Sequence, residues 1–137
     1  MSPRQYSPVE MTEALVAFDT TSRESNLALI RFVEDYLREH GVESTLFFNE
    51  DGSKANLVAT IGPPCAPGGV VLSGHSDVVP VDGQVWRTDP FRVEARDGRL
   101  YGRGTCDMKG FLAVALALVP EFKRRHLRAP EQSVSSS

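Results

Sequence analysis

Residues 73–80 read Ser-Gly-His-Ser-Asp-Val-Val-Pro, and residues 104–110 read Gly-Thr-Cys-Asp-Met-Lys-Gly. His75 and Asp77 stand two residues apart, directly after the apolar run Gly69-Val70-Val71-Leu72. That run predicts a buried strand. Side chains at i and i+2 of a strand point to one side. An imidazole and a carboxylate would therefore leave one strand end together, where open α/β sheets bind ligands. Asp107 adds another carboxylate at a Gly-flanked turn ahead of a helical pattern. A histidine with carboxylates is a donor set for zinc or a similar divalent ion.

Each residue also has a plainer reading. His75 alone could be a hydrogen-bonded buried histidine. Asp107 could be a helix N-cap, a role that suits aspartate. A capping carboxylate turns back on its own helix, whereas a metal-bridging one points away, and spacing does not choose between them. Cys106 fits a small buried residue better than a nucleophile, since no second histidine lies nearby in a triad-like context. Residues 104–109 lack the Gly-Lys-Ser/Thr order of a phosphate loop. Trp86 and Phe91 read as core or loop anchors.

The elements that must position these groups follow from periodicity. Ser7-Pro8-Val9-Glu10 is a capping box with proline at the first helical position. It opens a helix over roughly 8–18, with Met11, Leu15 and Phe18 on one face. A polar loop, Thr20 to Glu24, precedes a second helix that Ser25 is expected to cap. Leu29 or Ile30, Val33 and Leu37 form its apolar stripe, and Gly41 ends it. Val42, Ser44, Leu46 and Phe48 alternate as a strand. The turn Asn49-Glu50-Asp51-Gly52 leads to a partner strand over 55–61. A short strand is expected near Leu100-Tyr101 after Asp97-Gly98. Phe111, Leu112, Ala115, Leu116 and Val119 have helical spacing, and Pro120 should end or kink that helix. The segment after Arg128 is Ser-rich and aperiodic, which predicts a disordered tail over 129–137.

Composition narrows the function. The 137 residues suit one domain with a modest core. A net charge of −3 gives no electrostatic footprint for nucleic acid. The basic run Lys123 to Arg128 reads as a solvated helix end. The longest apolar run, Phe111 to Pro120, is half what a bilayer needs. The first residues carry no secretory h-region. Two cysteines outside any CxxC pair fit a reducing cytoplasm. Neither nucleic acid nor a membrane is an expected partner.

Val71 to Pro80, then Trp86, Asp89-Pro90-Phe91, and Leu100 to Phe111 resemble a dinuclear zinc amidohydrolase and peptidase family. That family includes acetylornithine deacetylases, succinyl-diaminopimelate desuccinylases, aminoacylases and a glutamate carboxypeptidase. The resemblance covers roughly 8–128. Val79 to Gln84, with the Trp and Asp-Pro-Phe that follow, is closest in character to the deacetylase branch. The resemblance implies an α/β fold: the N-terminal half of a zinc-hydrolase catalytic domain, with a twisted mixed sheet flanked by helices, over 1–128. It implies that His75 binds one metal and Asp107 bridges two. Asp77, the candidate catalytic residue, would hold the imidazole from behind. Two Zn2+ ions per complete site are implied, with Co2+ as a substitute.

The implied reaction is hydrolysis of an N-acyl amino acid by a metal-activated water. N-acetylornithine in cytoplasmic arginine synthesis is the first expectation, and a desuccinylase or aminoacylase the alternative. Family members continue with a Glu-Glu pair carrying the general base, further ligands and a lid domain used for homodimerisation. None of these has a match in the 137 residues, and Glu131 does not fit the Glu-Glu pattern. The chain is therefore expected to be a catalytically incomplete fragment whose own dimerisation is doubtful. The contrasting expectation is a non-catalytic metal-binding or interaction fragment.

Overall fold

A computed structural model describes residues 2–63 and 68–126. The chain is α/β. Helix α1 spans Pro8–Val16 and α2 Leu27–Glu39; strands β1 (Ser44–Phe48) and β2 (Ala55–Ala59) follow. Strands β3 (Glu94–Arg96) and β4 (Arg99–Tyr101) precede helices α3 (Lys109–Ala117) and α4 (Val119–His126).

Helix α1 begins as its capping box demands: Ser7 Oγ accepts from the Glu10 N–H at 3.1 Å, and Glu10 Oε1 accepts from the Ser7 N–H at 3.0 Å. The expected cap of α2 is corrected. The N-cap is Asn26, whose side chain makes no capping bond. Its amide instead pairs with Ala55, donating to the carbonyl at 2.9 Å and accepting from the N–H at 3.0 Å. A side chain that mimics a strand edge there is not free to cap. Ser25 Oγ accepts from the Leu27 N–H at 3.1 Å. Gly41, at φ +73°, closes α2, with the Val42 N–H reaching the Leu37 carbonyl at 2.8 Å. Only a residue at ease in the left-handed region ends a helix this way.

The first hairpin pairs β1 and β2 antiparallel with Leu46 opposite Leu57, and the second pairs β3 and β4 with Ala95 opposite Leu100. Proline at 120 divides the C-terminal helical run: α3 stops at Ala117 and α4 restarts at Val119. Glu121 accepts from Arg124 and Arg125 one turn on, so the described part of the basic run is a solvated helix face. Arg128 and the 129–137 tail lie outside the described residues.

The buried strand expected at 69–72 is not formed. Val70 and Val71 are 87% and 89% exposed, and among the described residues the strands form only two separate antiparallel hairpins. A strand is stabilised by ladder partners and cross-strand side chains, and this run has neither. Among the described residues the only parallel pairing is an isolated bridge between Thr21 and Val78. The helix-to-hairpin arrangement agrees with the expected α/β class, while the expected mixed sheet is reduced to that bridge.

The core joins Met11, Leu15 and Val16 of α1 with Leu29, Ile30, Val33, Tyr36 and Leu37 of α2 and Ala113 of α3. Helix α1 packs on α3, and α2 on the first hairpin. Tyr36 is buried, and its hydroxyl donates to the Leu116 carbonyl at 2.6 Å. Burial, with a smaller contribution from Tyr6, pushes the Tyr36 phenol up to about 12. The folded state thus favours the neutral phenol. That contribution is complete below the unfolded value near 10 and is lost as pH rises toward 12. Two pH units correspond to about 2.7 kcal/mol. Urea denaturation at pH 9 and pH 12 should show a loss of that order in wild type and a smaller one in Tyr36→Phe. The variant should cost about 1 kcal/mol at pH 7, where a hydrogen bond to a buried carbonyl is lost.

Candidate metal centre

Three backbone segments meet at His75. The first is the residue pair 74–75. Gly74 packs closely on α3: a Cβ there would come within 2.8 Å of Leu112 Cδ2 and 2.9 Å of Met108 Cε, so those side-chain ends would have to move. The chain can therefore run close to the start of α3, and the His75 N–H contacts Met108 Sδ at 3.4 Å. The second is the turn 102–108. Gly104, at φ +88°, sits where a Cβ would meet Val78 Cγ1 at 2.7 Å. The third is the strap 18–22, which pairs with 76–78 through Val78 N–H to Thr20 carbonyl and Ser22 N–H to Val78 carbonyl, both 3.0 Å.

These segments bring the three candidates together. His75 Nδ1 lies 3.1 Å from Asp77 Oδ1 and 3.1 Å from the Asp77 carbonyl. His75 Nε2 lies 2.9 Å from Asp107 Oδ1. The imidazole is thus held on one edge by Asp77 and meets Asp107 on the other. The N-cap of α3 is Met108, with no side-chain capping bond. Asp107 makes no capping bond to α3 and its carboxylate reaches His75 instead. The Asp107–Met108 peptide is cis.

The electrostatics follow from these contacts. Partial desolvation pulls the His75 pKa down. The hydrogen bonds to the Asp77 carbonyl and Asp107, and the two carboxylate charges, outweigh it and leave the pKa above its ordinary value. Asp77 is held below the usual carboxylate range, first by the hydrogen bond from Ser22 and, against some desolvation, by His75. The His75, Asp77 and Asp107 side chains are 49%, 53% and 85% exposed. Ion pairs at such exposure contribute about 0–1 kcal/mol, so fold stability does not account for the cluster.

The donor set matches a borderline divalent ion in kind. Two donors on one tetrahedral zinc at about 2.0–2.2 Å stand about 3.3–3.6 Å apart, so Nε2 and Oδ1, at a hydrogen-bond separation of 2.9 Å, would have to move apart to share an ion. In number it falls short. Among the described residues, no group of three or more His, Cys, Asp or Glu side chains is placed to hold a metal ion. Cys106 is a free, exposed thiol, not the small buried residue expected; its exposure follows from its place in the surface turn 102–108. Cys65 lies outside the described residues. Trp86 and Phe91 are half-buried loop anchors: the Trp86 indole donates to Gln84 Oε1 at 3.0 Å beneath the Arg103 guanidinium, and the Phe91 N–H donates to Asp89 Oδ1 at 2.9 Å.

Two contributors were not legible in the sequence. Ser22, in the run read only as a polar loop, donates to Asp77 Oδ2 at 2.6 Å. Lys109, fully buried, donates from Nζ to the Phe18 carbonyl at 2.8 Å and fixes the start of the strap. Burial lowers its pKa to about 8 against the opposing pull of Asp19. Ser22 stands 55 residues from Asp77 and Lys109 stands 91 from Phe18, and no local pattern announces such pairings.

Comparison with known proteins agrees with the resemblance read from the motifs. Residues 71–134, which contain His75, Asp77 and Asp107, match the model described as Peptidase family M20/M25/M40. The acetylornithine deacetylase of Photorhabdus laumondii is 44% identical over 103 residues, covering 74% of this chain and 26% of that protein. That of Pasteurella multocida is 36% identical over 129 residues, covering 89% and 33%. That of Myxococcus xanthus is 45% identical over 106 residues, covering 74% and 27%. The chain thus spans about a quarter to a third of the length of these curated relatives.

Proposed function

We infer that this chain, as part of a hydrolase of the peptidase family M20/M25/M40, contributes the His75–Asp77–Asp107 portion of a metal-dependent site that cleaves an N-acyl amino acid. The reading extends over residues 1–128 as one part of a catalytic domain, and N-acetylornithine is its first substrate. The carrying observation is the exposed imidazole held between Asp77 and Asp107, the latter 32 residues along the chain from His75.

His75 and Asp107 would hold the ion, and Asp77 would keep His75 in place. A divalent ion such as zinc, when bound there, polarises an amide carbonyl and lowers the pKa of water. With an ion bound, Asp77 would accept from Nδ1–H, leaving the Nε2 lone pair for the ion and fixing the ring plane. Without an ion, Asp107 Oδ1 stands 2.9 Å from Nε2 and accepts a hydrogen bond from it when that nitrogen is protonated; a bound ion would take the place of that proton. General-base assistance, typically about 10²–10⁴-fold, has no candidate here, since no adjacent Glu pair occurs in the 137 residues. The 137-residue polypeptide alone is accordingly a non-hydrolysing fragment, and cytoplasmic arginine synthesis and homodimerisation belong to the whole enzyme.

No helix among the described residues is long and apolar enough to cross a membrane, and the net charge of −3 offers no basic surface for nucleic acid.

The test is a hybrid in which residues 1–126 replace the aligned segment of the Pasteurella multocida relative. The hybrid should release ornithine from N-acetylornithine in preference to cleaving N-succinyl-diaminopimelate. His75→Ala should lower kcat/KM by at least about a hundredfold, since even the partners behind a metal ligand are worth about 10–100-fold. A folded, metal-loaded hybrid with no activity, or one indifferent to His75→Ala, overturns the reading.

A further inference from the structure

We propose that Ser22 is a positioning residue for the His75 site, fixing the Asp77 carboxylate so that its other oxygen holds the imidazole at Nδ1. This rests on the metal-site reading above. The Ser22 hydroxyl is 2.6 Å from Asp77 Oδ2, and the opposite oxygen, Oδ1, is 3.1 Å from His75 Nδ1. One carboxylate thus spans from hydroxyl to imidazole, with one oxygen for each.

A hydroxyl this exposed orients a carboxylate only if its own backbone is fixed, because water competes for both partners. The strap fixes it. Lys109 Nζ holds the Phe18 carbonyl from below, and Asp19 Oδ1 accepts from the Thr21 N–H at 3.0 Å and its hydroxyl at 2.6 Å. Thr20 Oγ1 donates to the Ser76 carbonyl at 2.6 Å. Two backbone bonds of 3.0 Å tie Thr20 and Ser22 to Val78, and Lys54 Nζ donates to the Ser22 carbonyl. The strap is therefore clamped to residues on both sides of Asp77. The Ser22 hydroxyl has one proton and two acceptors in reach, Asp77 Oδ2 at 2.6 Å and the Val78 carbonyl at 3.3 Å. The shorter contact, to an ionised partner, is the stronger.

The consequence is a bias of the His75 tautomer. Oδ1 and the Asp77 carbonyl, both 3.1 Å from Nδ1, favour a proton there, in competition with the single Asp107 oxygen 2.9 Å from Nε2. Without the Ser22 hydroxyl, the carboxylate can rotate away and the bias weakens. Outer partners of this kind typically change metal affinity about 10–100-fold, and Ser22 acts one bond further out, so a change of about tenfold is expected.

The experiment uses the 15N-labelled full chain, free of metal, in alkaline solution where the ring is neutral. Ring-nitrogen chemical shifts report the ratio of Nδ1–H to Nε2–H forms, and Co2+ alone is then titrated by its visible absorption. Ser22→Ala should lower the ratio by about tenfold and weaken Co2+ binding by up to about tenfold. Ser22→Thr, which keeps the hydroxyl, should retain both. An unchanged tautomer ratio in folded Ser22→Ala overturns the proposal, as does a Ser22→Thr chain that loses the wild-type ratio. Should Ser22→Ala not fold, Ser22→Thr carries the test alone. Wild-type Co2+ binding indifferent to His75→Ala would overturn the metal-site reading, while the tautomer ratio would still decide the role of Ser22.

Discussion

Gly110→Ala is expected to destabilise the chain by about 3 kcal/mol or more and to pull the Asp107 carboxylate away from His75. Within a helix this substitution ordinarily stabilises, by about 1 kcal/mol, because alanine has less backbone entropy to lose. Here the sign reverses. A Cβ at position 110 would stand 2.2 Å from the Thr105 carbonyl oxygen. That oxygen belongs to the backbone of the turn carrying Asp107, so it cannot swing aside as a long side chain would. Overpacking typically costs about 1–3 kcal/mol, and a clash with backbone belongs at the top of that range or beyond. Thermal denaturation should show a fall of roughly 4 °C per kcal/mol. The ring-nitrogen shifts of His75 should move in the same variant. The control is Val114→Ala on the exposed side of α3, which should stay within about 0.5 kcal/mol. A Gly110→Ala chain as stable as wild type would mean that the 102–109 turn is loose, and that the distance between His75 and Asp107 is not set by packing.

The same contact explains what the sequence could and could not say. Asp107 was legible as chemistry because a carboxylate between glycines before a helix is a local pattern. Its direction was not, because cap and ligand share that pattern, and only the absence of a capping bond in α3 separates them. The capping box at Ser7, the Gly41 stop and the break at Pro120 are all consequences of nearest neighbours, and each formed where periodicity placed it. Asn26 is the counter-example. By local rules it is a good cap, yet it is engaged by Ala55, 29 residues away. Ser22 and Lys109 were missed for the same reason: their partners lie in other segments. His75 and Asp77 do share a side as i and i+2 should, although the segment before them forms no strand. Their alignment comes from the strap beside 76–78 rather than from a ladder. An apolar run signals that something should cover it, without saying what.

That uncovered run leads to the other large effect. The isolated 137-residue chain is expected to self-associate at micromolar concentrations. Val70, Val71 and Leu72 are exposed, as are Val85 at 100% and, on α3, Phe111, Val114 and Leu118. Soluble monomers rarely leave large apolar surfaces open. Each Å² withdrawn from water is worth about 25 cal/mol. A few hundred Å² covered between two copies therefore gives several kcal/mol toward association. The same surface, left uncovered in the monomer, is burial the fold forgoes, and a domain's net stability is only about 5–15 kcal/mol. Light scattering should show an average mass that rises with protein concentration, and urea denaturation followed by Trp86 fluorescence should be broad. Val71→Glu combined with Phe111→Glu should restore a monomer without weakening the fold, since neither residue belongs to the core that joins α1, α2 and α3. The contrary result is equally informative. A monodisperse wild-type monomer that unfolds in one sharp transition would mean that the described core suffices by itself. The exposed valines would then be ordinary surface, and the 137 residues a self-sufficient domain rather than part of a larger one.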